Sequence, residues 1–297
     1  MLINELREIS PGIKENEPMS LHTTFKIGGA ADLFASVAAE TELISLVKLA
    51  GREGIPFMIM GNGSNMLVGD GGIRGLVIQI GSSFSECEIN GTEIDAKAGV
   101  LMSKIAALAA RASLTGFEPM SGIPGTLGGG IFMNAGAYGG EMSQVVKSVK
   151  YIDRDGNIHT ADTSECGFGY RKSIFSSGDK YIISARLSLR QGNENDIRDA
   201  MADYNKRRSD KQPLSYPSAG STFKRPEGHF AGKLIQDAGL MGYSIGGAQV
   251  SEKHAGFVIN TGGATASDVL ALIEHIQKTV MDKFGIMLEP EIRLTGE

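Results

Sequence analysis

The chain has 297 residues, 41% hydrophobic and 21% charged, with a net charge of −5 and an isoelectric point near 5.7. That is an ordinary globular composition, large enough for two or three compact units, and its acidic balance argues against a nucleic-acid partner. Cys87 and Cys166 are the two cysteines; they form no CxxC pair, so a disulfide framework or a thiolate metal site is not expected. The amino terminus MLINELREIS lacks a basic segment followed by an apolar one, and no apolar run reaches membrane-spanning length. The expectation is a cytoplasmic protein without membrane contact. Glycine stands out: 40 residues, about twice the usual share of roughly 7%, gathered in a few loops where backbone approaches a ligand closely or turns with positive φ.

In chain order, residues 41–53 place Leu43, Leu46, Val47 and Ala50 on one face of a helix that Gly54 can stop, followed by an apolar strand over 57–60. Leu76 to Ile80 reads as a buried strand. Residues 101–113 carry Ile105, Leu108, Ala109 and Ala112 at helical spacing, with Gly116 as the expected stop. Two strands flank the turn-rich DRDGN at 153–157 and predict a hairpin; 181–189 alternates as another strand. A helix is expected over 196–208, with Ile197, Ala200, Met201 and Tyr204 inward, and the main domain border near residue 192. The last helix should begin with Ser267 as N-cap and run to Gly285, and a strand over 286–294 should close the chain. Helices and strands alternate without a sustained β-α repeat, so the fold class is α+β.

Two glycine loops carry the functional signal. GNGSN, 61–65, follows the strand 57–60, but Met66 stands where a dinucleotide fingerprint needs its third glycine, and β-like residues follow instead of a helix. The second loop, SGIPGTLGGGIFMNAGAYGGE, spans 121–141. Pro124 suits a first helical turn, and the N–H groups of Gly125 to Gly129 could hold a diphosphate. Asn134, Ala135 and Gly136 would continue the wall along the same cofactor.

The segments TTFKIGGAADLF (23–34), GNGSNMLVGDGGIRGLVI (61–78), GIPGTLGGGIFMNAGAYGGE (122–141), YRKSIF (170–175), AGSTFKRP (219–226) and EPEIR (289–293) together resemble the UDP-N-acetylenolpyruvoylglucosamine reductase family. They occur in the family's order and cover nearly the whole chain. The resemblance implies the FAD-binding fold of the vanillyl-alcohol oxidase and p-cresol methylhydroxylase type: an FAD-binding domain over 1–192, in subdomains of about 1–75 and 76–192, and a C-terminal α+β substrate-binding domain over 193–297. The strand 286–297 would return to the first domain.

The implied activity is peptidoglycan precursor synthesis: NADPH-dependent reduction of an enolpyruvyl ether of UDP-N-acetylglucosamine through non-covalent FAD, by a monomer. Motif by motif, the resemblance assigns Gly61, Asn62, Gly63, Ser64, Asn65, Met66, Gly122, Ile123, Pro124, Gly125, Thr126, Gly128, Gly129, Asn134, Ala135 and Gly136 to the cofactor. It makes Arg171 the cation that stabilises an enolate, since a guanidinium presents a planar fork matched to a carboxylate. Ser221 becomes the proton donor, chemically sensible without a neighbouring base because a carbanion-like centre is itself strongly basic. Glu291 would either orient Arg171 or, protonated, donate a hydrogen bond. Lys211, Lys224, Arg225, Gln249 and His254 are expected to line the substrate pocket, with no metal. The chain resembles the family's shorter class: Ser221 follows Arg171 by 50 positions, leaving no room for the inserted tyrosine loop of other members, and Arg225 stands where an asparagine is usual.

Overall fold

The computed structural model describes residues 2–297. It comprises two compact units built from interleaved segments: Met1–Glu15, Leu33–Asn62 and Gly75–Arg208 form the first, and Asn16–Asp32, Gly63–Arg74 and Ser209–Glu297 the second. The sequence places the border near 192, at the start of a helix that in fact runs from Glu194 to Lys211. The helix stays with the first unit as far as Arg208: half-buried Met201 packs against that unit's core, and buried Ile197 lies beside Gly192. The chain just before it is also fixed there, Arg190–Gln191 pairing with Leu114–Thr115. Polar composition marks a helix start here, not a change of core.

In the first unit the helix Glu40–Glu53 buries Leu43, Leu46, Val47 and Ala50, and ends where Gly54 turns left-handed at φ 66°. The strand Phe57–Met60 follows and pairs in parallel with Ile73–Ile80, Phe57 opposite Leu76. This unit also holds a five-stranded antiparallel sheet in the order Ile158–Asp162, Val146–Asp153, Lys180–Ser188, Glu93–Lys97, Cys87–Asn90. The hairpin expected around DRDGN is present, with Asp153 Oδ1 accepting the N–H groups of Asp155 and Asn157, each at 2.9 Å. The helix expected over 101–113 is shorter, Met102–Arg111, and the chain leaves it through Ser113 at φ 55°, before Gly116. Leu43, Leu46, Leu76, Ile78, Ile94, Ile105, Phe117, Phe175 and Ile183 share one apolar core.

The second unit packs the helices Ala231–Asp237 and Ala266–Phe284 with a three-stranded antiparallel sheet, Ser244–Ile245, Ala248–Val250 and Val258–Asn260. Val269, Leu272, Ile273, Ile276 and Val280 line the buried face of the long helix, at the spacing the sequence predicts. Its N-cap is Thr265, not Ser267: Thr265 accepts the Asp268 N–H, and Asp268 returns the bond to the Thr265 N–H. Ser267 is already helical. The helix ends at Gly285, φ 69°. The strand expected over 286–294 is confined to Arg293–Thr295, which pairs in parallel with Met66–Val68 of the same unit. Residues before it are pinned differently, Glu289 and Glu291 bonding the Ser221 loop.

Candidate active site

Within the first unit, Gly61 and Asn62 meet the second glycine loop. Asn62 Nδ2 donates to the Pro124 carbonyl at 2.9 Å, and a Cβ on Gly61 would lie 2.4 Å from Thr126 Oγ1. The helix that follows is short, Leu127–Phe132, with Thr126 as N-cap accepting the Gly129 N–H. Pro124 therefore precedes the first turn instead of opening it. The amides of Leu127 and Gly128 are taken by the carbonyls of Val100 and Ala98 at 2.8 and 2.9 Å. The amides of Gly125 and Thr126 find no acceptor among the described residues, which narrows the expected run of five donors to two.

Further unsatisfied donors lie beside this loop. Ser121 Oγ and Arg208 Nε are buried and have no hydrogen-bond partner among the described residues. Gly122 lies against them: a Cβ there would come within 2.7 Å of Asn205 Oδ1 and 3.2 Å of Arg208 Cδ. Burial pulls the Arg208 guanidinium below the usual arginine range, yet arginine keeps its charge in proteins. Buried donors without acceptors are costly unless an anion or other acceptor meets them. Surplus N–H, O–H and one cation fit the phosphates of FAD.

Asn134, expected to face the cofactor, turns its side chain inward instead. It is 1% exposed; its Oδ1 accepts the Ser143 N–H at 2.9 Å and its Nδ2 donates to the Gly169 carbonyl at 3.1 Å. Arg171 stands at the tip of the two-residue turn that Gly169 begins. Gly169 and Lys172 exchange both backbone hydrogen bonds, at 3.0 and 3.2 Å, and Arg171 adopts φ 54°. Its guanidinium donates to the Gly136 carbonyl at 3.2 Å and lies 5.2 Å from the Tyr170 ring centre. Arg171 is half-buried, and among the described residues it is one of six non-glycine positions with φ in the left-handed region.

The second unit pairs the segment that follows Ser221 with the segment that carries Glu291. Ser221 is exposed and follows Gly220 at φ 79°. Thr222 is buried, its carbonyl accepting the Glu291 N–H at 2.8 Å and its hydroxyl the Val258 N–H at 2.9 Å. Lys224 N–H donates to the Glu289 carbonyl at 2.8 Å, so 222–224 and 289–291 run antiparallel as a short ribbon. Asn65 of the first glycine loop donates its Nδ2 to the Glu291 carbonyl at 3.2 Å, a structural use of a side chain expected at the cofactor. Thr24, not among the expected site residues, links Gly63 to Ser218: its N–H donates to the Gly63 carbonyl at 3.2 Å and its hydroxyl to the Ser218 carbonyl at 2.7 Å. The long sequence separation hides that bond; the TTFK motif was its one signal.

The residues expected to line the substrate pocket lie in the second unit. Lys224 is ion-paired with Glu289. The Arg225 guanidinium sits 4.0 Å from the centre of the exposed Phe230 ring. Gln249 donates to Ser244 Oγ at 3.0 Å within its own hairpin, and Lys211 is exposed at the end of its helix. His254 accepts the Gly256 N–H on Nδ1 at 3.1 Å, which places its proton on Nε2. Burial, with a smaller push from the Lys211 charge, lowers its pKa from the usual value. Among the described residues no cluster of three or more His, Cys, Asp or Glu forms a metal site, and no helix is long and apolar enough to cross a membrane.

Residues 31–162 match the family described as FAD binding domain, and residues 212–295 the UDP-N-acetylenolpyruvoylglucosamine reductase C-terminal domain. An alkyldihydroxyacetonephosphate synthase structure shares the fold at TM-score 0.50 and 16% identity, over 64% of this chain and 40% of that one. The matched domain makes this an FAD-binding protein.

The relatives narrow this further. The UDP-N-acetylenolpyruvoylglucosamine reductases of Caldanaerobacter subterraneus and Clostridioides difficile are 54% and 51% identical, covering 100% and 96% of this chain and 99% and 94% of theirs. The crystal structure of the Thermus caldophilus enzyme superposes at TM-score 0.83 with 35% identity, over 95% of this chain and 99% of that one. The chain belongs to the UDP-N-acetylenolpyruvoylglucosamine reductase family. It is an oxidoreductase of peptidoglycan precursor synthesis, with FAD as cofactor and NADPH as co-substrate.

Proposed function

We propose that Arg171, Ser221 and Glu291 divide the chemistry of enolpyruvyl reduction. FAD, when bound, would supply to the substrate the hydride equivalent that comes from NADPH. When the terminal carbon of the enolpyruvyl group receives hydride, the electron pair of the double bond moves to the neighbouring carbon and into the carboxylate. Arg171 stabilises that enolate through its planar donor fork, an interaction stronger in the transition state than with the ground-state carboxylate. Ser221 Oγ transfers its proton to the carbon, completing the saturated lactyl ether, and regains a proton from solvent. Glu291 would either orient Arg171 as a carboxylate or, in its protonated form, donate a hydrogen bond to the carboxylate oxygen where charge accumulates.

The observation that carries this reading is the display of Arg171: a charged residue held at φ 54° on a doubly hydrogen-bonded turn. The amides of Gly125 and Thr126, Ser121 Oγ and Arg208 would hold the FAD phosphates, with Gly61 and Gly122 allowing close approach of the backbone. Gly63 to Met66, Ile123 and Gly128 to Gly136 support those loops. Lys211, Lys224, Arg225, Gln249 and His254 are the candidates for contacts to the sugar nucleotide. The enzyme acts as a cytoplasmic monomer; sedimentation should give a single species of 31.5 kDa.

The test follows flavin absorbance anaerobically. NADPH should bleach it, and the enolpyruvyl ether of UDP-N-acetylglucosamine should restore it. In Ser221→Ala bleaching should persist while restoration collapses; equal loss of both steps would remove Ser221 from the mechanism.

A further inference from the structure

We propose that Asn134 is the positioning residue for Arg171, setting the turn that displays the guanidinium. The inference rests on the reading that Arg171 stabilises the enolate. Asn134 is 1% exposed and touches the site through protein alone. Its two polar ends bracket two loops: Oδ1 accepts the Ser143 N–H at 2.9 Å, and Nδ2 donates to the Gly169 carbonyl at 3.1 Å. That carbonyl is the base of the Arg171 turn, since it also accepts the Lys172 N–H at 3.2 Å. One carbonyl oxygen thus uses both acceptor directions, one to close the turn and one to anchor it.

The same short segment holds the other end of the arginine. Two residues after Asn134, the Gly136 carbonyl accepts from the Arg171 guanidinium at 3.2 Å. Residues 134–136 therefore grip Arg171 twice, at the root of its turn and at its tip. The grip requires a particular backbone: Asn134 itself has φ 45°, a left-handed conformation that asparagine tolerates better than most side chains. Immediately downstream of the turn, the hydroxyls of Ser173 and Ser176 donate to the Phe132 carbonyl at 2.6 and 2.8 Å. The left-handed Arg171 is thus held from both sides, by Asn134 at Gly169 two residues before it and by Ser173 two residues after it. Displacing a catalytic group by about 1 Å can cost on the order of 100-fold in rate.

The experiment uses the FAD-loaded enzyme with Asn134→Ala, Asn134→Asp, Arg171→Ala and the Asn134→Ala/Arg171→Ala double variant. Stopped-flow absorbance follows flavin reduction by NADPH and reoxidation by the enolpyruvyl substrate separately. Hydrogen exchange of residues 168–174 reads the turn directly, with or without flavin. Asn134→Ala should slow reoxidation by about 10- to 100-fold, leave reduction within about twofold, and speed exchange in 168–174. The Arg171→Ala background should erase the Asn134→Ala effect on reoxidation.

Asn134→Asp keeps the acceptor for Ser143 but loses the donor to Gly169. Its reoxidation should be slow at neutral pH and recover as the pH falls, when a protonated carboxyl again donates to Gly169. It carries the same comparison if Asn134→Ala does not fold. Unchanged reoxidation in both Asn134 variants, or an effect that persists in full in the double variant, overturns the inference. Unchanged reoxidation in Arg171→Ala instead overturns the role of Arg171, so the two failures are told apart.

Discussion

Asp70 caps the long helix through Ser267 from outside the helix. Its carboxylate accepts the Ser267 N–H at 2.9 Å and the Ser267 hydroxyl at 2.6 Å, as well as the Ala266 N–H at 2.7 Å. Burial opposes its ionisation, but the Ser267 and Ala266 hydrogen bonds outweigh it and hold the carboxyl below the usual aspartate range. A depressed folded pKa means that the unfolded chain binds more protons, so this contribution is full above the unfolded value and fades as the pH drops through the folded one. Asp70→Ala should cost about 1 kcal/mol at pH 7 in urea unfolding. The difference from the parent enzyme should shrink below the aspartate range; a pH-independent difference would contradict the charge's role.

Arg208 should govern flavin retention. Its buried, unpartnered Nε and permanent charge suit the phosphate contact proposed for it, and methionine would keep an apolar side chain in its place. Arg208→Met should weaken FAD binding by about 10- to 100-fold, in line with a charge-assisted hydrogen bond of roughly 1.5–3 kcal/mol. The ratio of flavin to protein absorbance after dialysis, with titration of the apoprotein, measures it.

Glu291 separates charge from hydrogen bonding. If the carboxyl acts as a protonated donor, Glu291→Gln should retain a donor and keep most of the reoxidation rate, whereas Glu291→Ala should lose on the order of 100-fold. Equal collapse in both variants would assign the function to the carboxylate charge.

His254 should titrate below an ordinary histidine, chiefly because burial disfavours its charged form. With the folded pKa lowered, the unfolded chain takes up the proton first, and stability falls as the pH drops below about 6.5. Ring-proton NMR checks the pKa, and the stability slope should flatten in His254→Phe.

Gly69 faces the end of the chain so closely that a Cβ would lie 2.1 Å from the Glu297 carbonyl oxygen. Gly69→Ala should destabilise by about 1–3 kcal/mol, the usual range for overpacking. A thermal midpoint equal to the parent's would mean that the terminal strand gives way at no cost.

Local order was open to reading from the residues. The helix 40–53, the strand 57–60, the hairpin at 153–158 and the long helix ending at Gly285 follow from apolar spacing and turn chemistry. Capping was less legible: Ser267 looked like the helix start, yet Thr265 holds it, since both residue types cap well and reciprocity with Asp268 decides. The strand 286–294 shrank to Arg293–Thr295 because Glu289 and Glu291 are claimed by residues 222–224.

The candidate site divides in the same way. The six motifs, with their order and residue types, were sufficient in the sequence alone to point to the family, the flavin and the names Arg171, Ser221 and Glu291. Tertiary structure decided which donors of the glycine loops are spent on Val100 and Ala98 and which stay unsatisfied, and that Arg208 Nε and Ser121 Oγ are buried without acceptors. It also decided that Asn134 and Asn65 serve protein carbonyls at Gly169 and Glu291, 35 and 226 positions away. The reason is physical: motif chemistry resides in local residue identity, whereas a hydrogen-bond partner is whatever the folded backbone brings within about 3 Å.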